Sequence, residues 1–569
     1  MFFSGVNENK AAWRLSRKSY ATLRAMAETP KRARPGTVAS LRAALGSRRI
    51  GAVTLQSFSS GLPLGLIWIA LPAWLTYQGV DIKTVGLFSL AQAPWTFKFL
   101  WAPLMDRYRL PRLGRKRSWM IVCQIFLFAG CVALALQASN PRVATVAGIA
   151  LFIAFWSASQ DIAIDGYAVE VLEREEQGLA VGARVALYRA ATLIAGAVAI
   201  TLGQRIGWST VFWGLAFLFI PLMGIVVWSP EPSVPAPAPR TLRDAVFDPL
   251  VDIFRRSRAL QIIGFLLLYK FGENLATALT RPFLIQKCYA PEDVGLATAT
   301  IGLVAIVIGT FFGGWMTERI GLGRALWIFG MIQAVGFLGY VAVDRLTPGS
   351  PCAGGAQPLG AVQPFSHRMT MYGAVAVENT CQAMATGAFG VLLLRLTQKQ
   401  FSSTQYALFS SIFALGRTLA GPPAGYLVDA LGWTPFFLVS TLASIPGLVL
   451  LQRFSPIGRR EPEIADVRPV ERRPISKAAL AGRALAGTTV GTVVAASTSA
   501  LLAVLRAVRA HPGSSLDFAG ELARVFSPAS ASGWLRVAGV LVAGIFCSGA
   551  VAAFVAARHG VRSSHSAEQ

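Results

Sequence analysis

Charge, histidine and cysteine are all scarce in this sequence. Of its 569 residues, 14% are charged, whereas soluble domains carry about 25%. The four histidines show no HExxH or other ligand spacing and the six cysteines form no CxxC motif, so we expect no metal, no cofactor and no enzymatic activity. Only Cys288 and Cys352 fall near loops, and the sequence gives little support for a disulfide between them. No continuous apolar segment precedes Ile50, so we expect no cleavable secretory signal.

Apolar residues, in contrast, are abundant. They make up 54% of the chain, whose mean hydropathy is +0.52. Apolar stretches recur along nearly the whole sequence, and many approach the roughly 20 residues that a helix needs to cross the hydrocarbon layer of a membrane. Clear examples are 120–136, 211–228 and 436–451. A soluble core cannot use that much apolar length, so we predict a multi-pass α-helical membrane protein whose solvent is the lipid bilayer.

The net charge of +25 is unevenly distributed. Residues 1–50 hold eleven Lys or Arg against two acids, and residues 105–119 hold six against one. The segments 229–258 and 453–477 are also basic, whereas the intervening loops that we assign to the other side carry few basic residues. This pattern is typical of loops that remain in the cytoplasm, and it predicts that both termini are cytoplasmic. Because the charge orients the chain in the membrane, we do not expect nucleic-acid binding.

The apolar spans fall into three groups separated by polar segments, the first of which opens with the Pro-rich stretch SPEPSVPAPAPR. The predicted domains are a basic cytoplasmic N-terminal tail (1–49), an N-terminal six-helix bundle (50–228), a cytoplasmic linker (229–258), a C-terminal six-helix bundle (259–454), a polar linker (455–475) and two additional transmembrane helices (476–560). The fourteen predicted spans are 51–75, 82–104, 116–137, 143–170, 178–203, 208–228, 259–285, 292–317, 322–344, 367–396, 403–430, 432–452, 476–508 and 532–557.

The two groups of six spans repeat each other, and this repeat decides the predicted fold. A Gly-Trp pair is followed by a proline at the same distance in both groups, with Trp208 before Pro221 and Trp433 before Pro446. The other recurring pairs are Gly86-Leu87 with Gly295-Leu296, Asp106-Arg107 with Glu318-Arg319, and Gly114-Arg115 with Gly323-Arg324. We therefore predict an all-α membrane protein with two pseudo-symmetric six-helix bundles around a central cavity, plus two extra C-terminal helices.

The turn between spans 2 and 3 reads MDRYRLPRLGRKR (105–117), and its acidic-Arg pair recurs between spans 8 and 9. A carboxylate there can pair with Arg and cap helix ends in one conformational state, and release them in another. The alternative is a simple orientation signal of basic residues, and the recurrence favours the switching role. The predicted gating residues are Asp106, Arg107, Arg115, Glu318 and Arg319.

Ionisable side chains inside the spans need a reason, because each costs about 2.5–3.5 kcal/mol at the middle of a membrane. On span 4, Ser157, Asp161 and Asp165 share one helix face. They line the cavity or, in the alternative, meet the basic turn after span 2. On span 7, Lys270 and Glu273 can neutralise each other as a buried pair. Glu273 beside a movable cation would also suit a carboxylate that binds and releases a proton.

Span 10 carries a polar cluster of Glu378, Asn379 and Gln382, in which Glu378 and Gln382 share a face. The cluster is either an interhelical hydrogen-bond network or part of a binding site. Arg189 and Arg417 occupy repeat-related positions in spans 5 and 11. Each can hold an anionic group by bidentate contact or pair with the acids of spans 4 and 10, and the sequence leaves both alternatives open.

Several short segments, taken together, are more specific than the helical pattern. They are SSGLPLG (59–65), GLFSL (86–90), FKFLWAPLMDRY (97–108), SASQDI (157–162), LYKFGE (268–273), VEN (377–379), FSSTQYAL (401–408), GR (416–417) and GW (432–433). In this combination the chain resembles the AmpG family of muropeptide permeases, in the major facilitator superfamily, over residues 50–452. It departs from that family in its basic N-terminal tail, in a Pro/Gly-rich insert at 345–366 and after residue 455.

The resemblance implies a major facilitator fold and proton-coupled import of GlcNAc-1,6-anhydroMurNAc and its peptides from periplasm to cytoplasm. It also implies the inner membrane of a Gram-negative bacterium and a role in peptidoglycan recycling, and we assume a monomer. Carried onto matching positions, the resemblance places around the cavity Gln160, Asp161, Lys270, Glu273, Glu378, Asn379 and Arg417. The alternative is a related porter such as an acetyl-coenzyme A transporter, with a membrane-embedded receptor or enzyme less favoured.

Overall fold

The structure, a computed structural model, consists of helices joined by short turns. It describes residues 46–80, 91, 93–108, 114–139, 141–232, 239, 241–256, 258–347, 363–463, 476–510, 517–528 and 531–559. Within these ranges the regular elements are helical, as the sequence predicts.

The helices of the first half are α1 (Arg48–Tyr77), α2 (93–107, interrupted by a 3-10 turn at Lys98–Leu100), α3 (Arg115–Gln137), α4 (Val143–Val171), α5 (Gln177–Ile206) and α6 (Trp208–Trp228). Those of the second half are α7 (Ala259–Gln286), α8 (Glu292–Ile320), α9 (Leu322–Leu346), α10 (Phe365–Leu396), α11 (Ser402–Leu431) and α12 (Trp433–Phe454). The chain continues with α13 (Lys477–Ala510), a short helix (Phe518–Phe526) and α14 (Ala531–His559).

Eleven of the described helices are long and apolar enough to cross a membrane. The three predicted spans outside this set are α2, α10 and α11. The described part of α2 is short, because residues 81–90 and 92 lie outside the described residues. In contrast, α10 and α11 are 32 and 30 residues long and lack only apolarity, since they carry many polar side chains. The count of fourteen spans therefore stays a prediction.

The recurring glycines lie where the chain reverses direction between helices. Gly207 and Gly432 have φ angles of 87° and 80°, and each immediately precedes the tryptophan that begins α6 or α12. Gly114 and Gly321, with φ of 74° and 91°, precede α3 and α9 in the same way. These left-handed conformations favour glycine because a Cβ atom is strained there. By backbone conformation, the counterpart of Gly114 is therefore Gly321 and not Gly323, which the sequence pattern had suggested.

Each half has its own apolar core, built around its Gly-Trp pair. In the first half the ring of Phe212 meets Trp74 edge-on, with centroids 5.1 Å apart. In the second half Phe437 packs against Phe283 at 5.1 Å, also edge-on. Both cores lie at the end of the bundle where α6 and α12 begin. The other end, where α2 gives way to α3 and where α7 begins, is called the linker end here.

The linker between the halves contains a helix that the sequence does not reveal as regular structure. This linker helix (Leu242–Arg255) starts with a capping box, in which Thr241 and Asp244 each accept from the other's backbone N–H. Its Asp252 accepts hydrogen bonds from Gln398 and Gln405 at 2.6 and 2.8 Å. The linker helix is thereby attached to the start of α11.

The C-terminal hairpin formed by α13 and α14 packs through small residues. A Cβ atom added at Gly491 or Gly544 would lie 2.6 Å from Cys547 or 2.4 Å from Thr492, so the two backbones approach closely. The hairpin contacts the rest of the protein through α14, whose Phe554 meets Phe254 of the linker helix edge-on at 5.7 Å. It is thus joined to the linker helix.

The segment 455–463 covers the linker end of α9. The backbone N–H of Gly323 donates to the carbonyl of Arg460 at 2.9 Å, and the indole N–H of Trp327 donates to the carbonyl of Ser455 at 2.7 Å. The first bond satisfies a backbone N–H in the first turn of α9, which has no partner within its own helix. The second bond attaches the Trp327 side chain to the same segment.

Truncations before and after this segment should have different effects. Truncation after residue 475 removes α13 and α14 only, and we expect the protein to insert in the membrane with a slightly lower thermal unfolding temperature. Truncation after residue 454 also removes the partners of Gly323 and Trp327, so its unfolding temperature should fall further. Thermal unfolding of both purified proteins in detergent measures the difference. Equal stability would show that the segment contributes nothing, and failure of the longer protein to insert would make the hairpin part of the core fold.

Candidate functional site

The two halves meet at the linker end through a buried carboxylate. Asp106, at the end of α2, is fully buried and accepts a hydrogen bond from Lys116 at 2.6 Å. It also accepts from the backbone N–H groups of Ser403 and Thr404, at 3.1 and 2.8 Å, and from the Thr404 hydroxyl at 2.7 Å. An acid of the first half therefore caps the start of α11 in the second half, where unpaired N–H groups and the helix dipole favour negative charge.

The repeat-related acid makes the corresponding contact in the opposite direction. Glu318, near the end of α8, accepts from the backbone N–H of Leu179 at 3.1 Å, in the first turn of α5. The two helices touch here through glycine, since a Cβ atom added at Gly178 would lie 2.3 Å from the carbonyl oxygen of Gly314. Each half thus supplies an acid that caps a helix of the other half. This geometry fits the predicted gating role of Asp106 and Glu318, which stays a prediction.

The other predicted gating residues have different surroundings. Arg115 donates to Glu170 at 2.7 Å, and Glu170 accepts from Ser402 of the second half at 2.6 Å, so Arg115 supports the closure indirectly. Arg107 and Arg319 instead lie over aromatic rings of their own halves, with guanidinium carbons 5.5 Å and 5.7 Å from the ring centroids. Lys116 and Glu170 are not among the predicted gating residues, although Lys116 pairs with Asp106 of the same turn. Glu170 is not visible in the sequence because its partners Arg115 and Ser402 lie on other helices.

A second polar cluster lies inside the first half, between α1, α4 and α5. Asp161 accepts from the hydroxyl of Ser60. Asp165, one turn further along α4, forms ion pairs with Arg184 and, at 3.6 Å, with Lys98. The guanidinium of Arg184 also donates to Ser57 at 3.0 Å. Asp165 therefore has structural partners, but they are Lys98 and Arg184 and not the basic turn after span 2, and Arg184 is a charged residue of span 5 that the sequence pattern does not single out.

Gln160 belongs to the same half, and its side chain contacts residues of the neighbouring helices. Its side-chain amide donates to Ser59 at 2.7 Å, and Gln124 donates to the same hydroxyl at 3.3 Å. Both glutamines are fully buried. Gln160 thus joins a hydrogen-bond network between α1, α3 and α4.

The second half contains a buried ion pair at a break in α7. The helix ends at Leu268 and resumes at Phe271, which leaves Lys270 at the break. Lys270 pairs with Glu273 and also donates to the carbonyl of Gln382 at 3.0 Å and to Thr386 at 2.8 Å. The other oxygen of Glu273 accepts from the Gln382 side chain at 2.6 Å. Lys270 and Glu273 thus neutralise each other, which is one of the two alternatives left open by the sequence. The pair is also bound to α10.

Glu378 lies one turn away from Gln382 on α10 and has another kind of environment. One carboxylate oxygen accepts from Asn379 at 2.9 Å and from the Tyr340 hydroxyl at 3.3 Å. Its other oxygen is buried and has no hydrogen-bond partner among the described residues. The side chain is 3% exposed. Glu378 and Asn379 thus come together as predicted, with no basic residue in ion-pair contact in the described part of the chain.

Arg189 and Arg417 lie on α5 and α11, which belong to opposite halves. Both are exposed although they lie at the middle of α5 and α11, and they are near enough for their charges to repel each other. Among the described residues, neither forms an ion pair with the acids of α4 or α10, because Asp165 pairs with Arg184. The guanidinium of Arg417 lies 5.8 Å from the ring centroid of Phe413. Two positive groups are therefore available to an anionic ligand.

Comparison with known proteins agrees with this architecture. Residues 53–350 match the Major Facilitator Superfamily. The chain is 39% identical over 405 residues to the anhydromuropeptide permease of Escherichia coli K12, which covers 71% of this chain and 79% of that protein. The chain belongs to the major facilitator superfamily, within the family of the anhydromuropeptide permeases. Membership makes it a membrane transporter and not an enzyme, as the sequence predicts.

Solved structures of more distant members share the fold. The proton:xylose symporter XylE aligns with a TM-score of 0.53 at 13% identity, covering 73% of this chain and 98% of that one. The transporter FucP in its outward conformation aligns with a TM-score of 0.54 at 13% identity, covering 71% and 98%. At this sequence identity the likeness concerns the fold alone.

Replacing Asp106 by Asn tests the closure at the linker end. Breaking a buried ion pair by removing one partner costs about 3–5 kcal/mol, because the remaining charge is uncompensated. Asp106→Asn should therefore lower the thermal unfolding temperature of the purified protein and reduce transport. The control is Glu173→Gln, which removes an exposed partner of Arg49 at the same end, where a pair is worth about 0–1 kcal/mol. Equal effects of the two substitutions would contradict the role of Asp106.

Proposed function

We propose that the protein imports anhydromuropeptides, GlcNAc-1,6-anhydroMurNAc and its peptides, from periplasm to cytoplasm together with protons. Such a transporter serves peptidoglycan recycling. The likeness to the E. coli anhydromuropeptide permease supports this substrate class, because it extends over 79% of that protein. The chain's own residues supply a second argument, which concerns the charges of Arg189 and Arg417.

The observation that carries the proposal concerns Arg189 and Arg417, which form no ion pair among the described residues. A muropeptide carries carboxylates on its stem peptide and hydroxyls on its sugars. Arg189 and Arg417, one from each half, are exposed and unpaired among the described residues, so a carboxylate between them would compensate two repelling charges. Guanidinium groups bind carboxylates by two parallel hydrogen bonds, which also fixes orientation. A ligand held by both halves links binding to their relative movement.

The balance of charges favours a sugar–peptide over the alternative cargo, an acetyl-coenzyme A-like nucleotide. A site for several phosphates would need mainly basic residues. Here the basic residues Arg184 and Lys270 are already neutralised by Asp165 and Glu273. Of the described residues Arg184, Lys270, Arg189 and Arg417, the last two remain for an anion, which suits one or two carboxylates.

We also propose that the linker end faces the cytoplasm of a bacterium, in its inner membrane. The basic segments 105–119 and 229–258 lie at this end. A second observation concerns Cys288, which lies beyond α7 at the opposite end and is disulfide-bonded, contrary to the expectation from sequence. Disulfides persist in oxidising compartments such as the periplasm. Cys352 lies outside the described residues.

Uptake into cells that lack their own permease tests the function. Cells producing the protein should accumulate radiolabelled anhydromuropeptide above the outside concentration, and an uncoupler should abolish accumulation because it dissipates the proton gradient. Cells with an empty vector provide the background. Uptake that is unaffected by the uncoupler would contradict proton coupling, and absence of uptake would contradict the substrate class.

The arginine pair gives a more specific prediction. Arg417→Gln and Arg189→Gln should each raise the KM for a muropeptide with free stem-peptide carboxylates about tenfold, which corresponds to roughly 1.4 kcal/mol. The same variants should lose less with the peptide-free disaccharide, because it lacks the stem-peptide carboxylates and keeps one carboxylate on its lactyl group. Arg205→Gln, at the exposed end of α5, is the matched control. Equal losses for both substrates would show that the arginines do not recognise the peptide.

A further inference from the structure

The second half buries the carboxylates of Glu273 in α7 and Glu378 in α10, and their environments separate their roles. Glu273 has both oxygens occupied, one by Lys270 and the other by the side-chain amide of Gln382. A carboxylate that is paired with a cation and hydrogen-bonded at both oxygens is stabilised in its ionised form. A group that carries a coupling proton must instead gain and lose that proton during each cycle. Glu273 is instead engaged at both oxygens, by Lys270 of its own helix and by Gln382 of α10.

Lys270 has no donor left for a second carboxylate. An ammonium group has three N–H donors. Those of Lys270 reach Glu273, the backbone carbonyl of Gln382 and the hydroxyl of Thr386. Because the Lys270 charge is already neutralised in direct contact, it compensates little of a second negative charge nearby.

Glu378 is the carboxylate left without a cation. It is as buried as Glu273, yet its contacts are limited to Asn379 and Tyr340, and one of its oxygens has no partner in the described residues. An isolated ionised carboxylate in an apolar interior is so costly that such a group takes up a proton instead. In the state closed at the linker end, the geometry therefore favours the neutral carboxylic acid.

The helices packed around Glu378 bring few compensating charges. From α7 come Lys270 and Glu273, which neutralise each other, and from α9 comes the neutral hydroxyl of Tyr340. From α8, Gly302 faces the side chain of Asn379, and α10 itself adds Cys381. The neutral form of Glu378 is favoured as long as this arrangement persists.

We propose that Glu378 carries the coupling proton with Tyr340 as its hydrogen-bond partner, and that Lys270–Glu273 is a fixed ion pair that holds α7 against α10. This proposal rests on the proton coupling proposed above. An O–H bond forms when the carboxylate accepts a proton from a hydronium ion that enters from the periplasmic side, and the hydronium ion becomes water. The same bond breaks when the halves open towards the cytoplasm, water reaches Glu378, and the proton leaves to that water.

Purified protein in liposomes separates proton coupling from substrate movement. Three quantities are measured with anhydromuropeptide: exchange across the membrane without a gradient, accumulation driven by an imposed proton gradient, and substrate-driven proton entry reported by a trapped pH-sensitive dye. Glu378→Gln mimics the protonated acid. We expect this variant to exchange substrate but neither to accumulate it nor to move protons. Glu521→Gln, in the short helix between α13 and α14, is the control and should match the wild type.

Variants of the neighbouring residues distinguish a proton carrier from a structural residue. Glu273→Gln leaves Lys270 buried without its counter-ion, so it should lose exchange together with accumulation. Tyr340→Phe keeps the ring but removes the hydroxyl that contacts Glu378. We expect it to keep exchange and to shift the pH at which gradient-driven accumulation is half-maximal.

The outcomes are distinct. Gradient-driven accumulation or proton entry at the wild-type level in Glu378→Gln overturns the assignment of Glu378, as does loss of exchange in that variant. Glu273→Gln behaving as we expect of Glu378→Gln would assign the proton to Glu273. A wild-type protein that exchanges the substrate without moving protons overturns the proposed proton coupling, and the proton site with it.

Discussion

The absence of water in the hydrocarbon layer is the constraint on which the rest of this structure depends. A polar group inside a span must find its partner within the protein, because lipid offers none. Asp165 and Glu273 meet this requirement by pairing with Arg184 and Lys270. The first pair joins α4 to α5, and the second lies within α7, where Gln382 and Thr386 of α10 also contact it. Arg189, Arg417 and one oxygen of Glu378 are among the described polar groups that lack such a partner, and we propose them for binding and coupling.

The same constraint explains how the halves close. The first N–H groups of α5 and α11 have no partners within their own helices. Glu318 and Asp106 supply these partners from the opposite half. Because each half gives one acid and receives one, we expect the two contacts to form and break in the same movement. The glycine contact between α5 and α8 allows the backbones to approach closely enough for this. Opening of the linker end would therefore have to compensate the free energy that is lost when both helix caps break.

Part of the candidate site could be predicted from the sequence and part could not. Polar residues within apolar spans are visible as exceptions, so Asp161, Lys270 and Glu378 stand out without any structure. Their partners cannot be read from the sequence in the same way. Spacing shows which residues share a helix face, but it does not show which other helix that face contacts. Arg184 illustrates this limit: it neutralises Asp165 across nineteen residues of chain and several turns of helix. The alternatives for Arg417 stayed open for the same reason.

The sequence by itself determined the membrane environment, the helix boundaries and the internal repeat. Apolar length and glycine at positive φ are local properties, so α6 and α12 begin at the predicted tryptophans. Only the tertiary structure decided the linker helix, the disulfide at Cys288 and the difference between Glu273 and Glu378. Two carboxylates on spans of similar composition look alike in sequence. The number of cations and donors that reach each one depends on how distant helices pack, and packing is settled only in three dimensions.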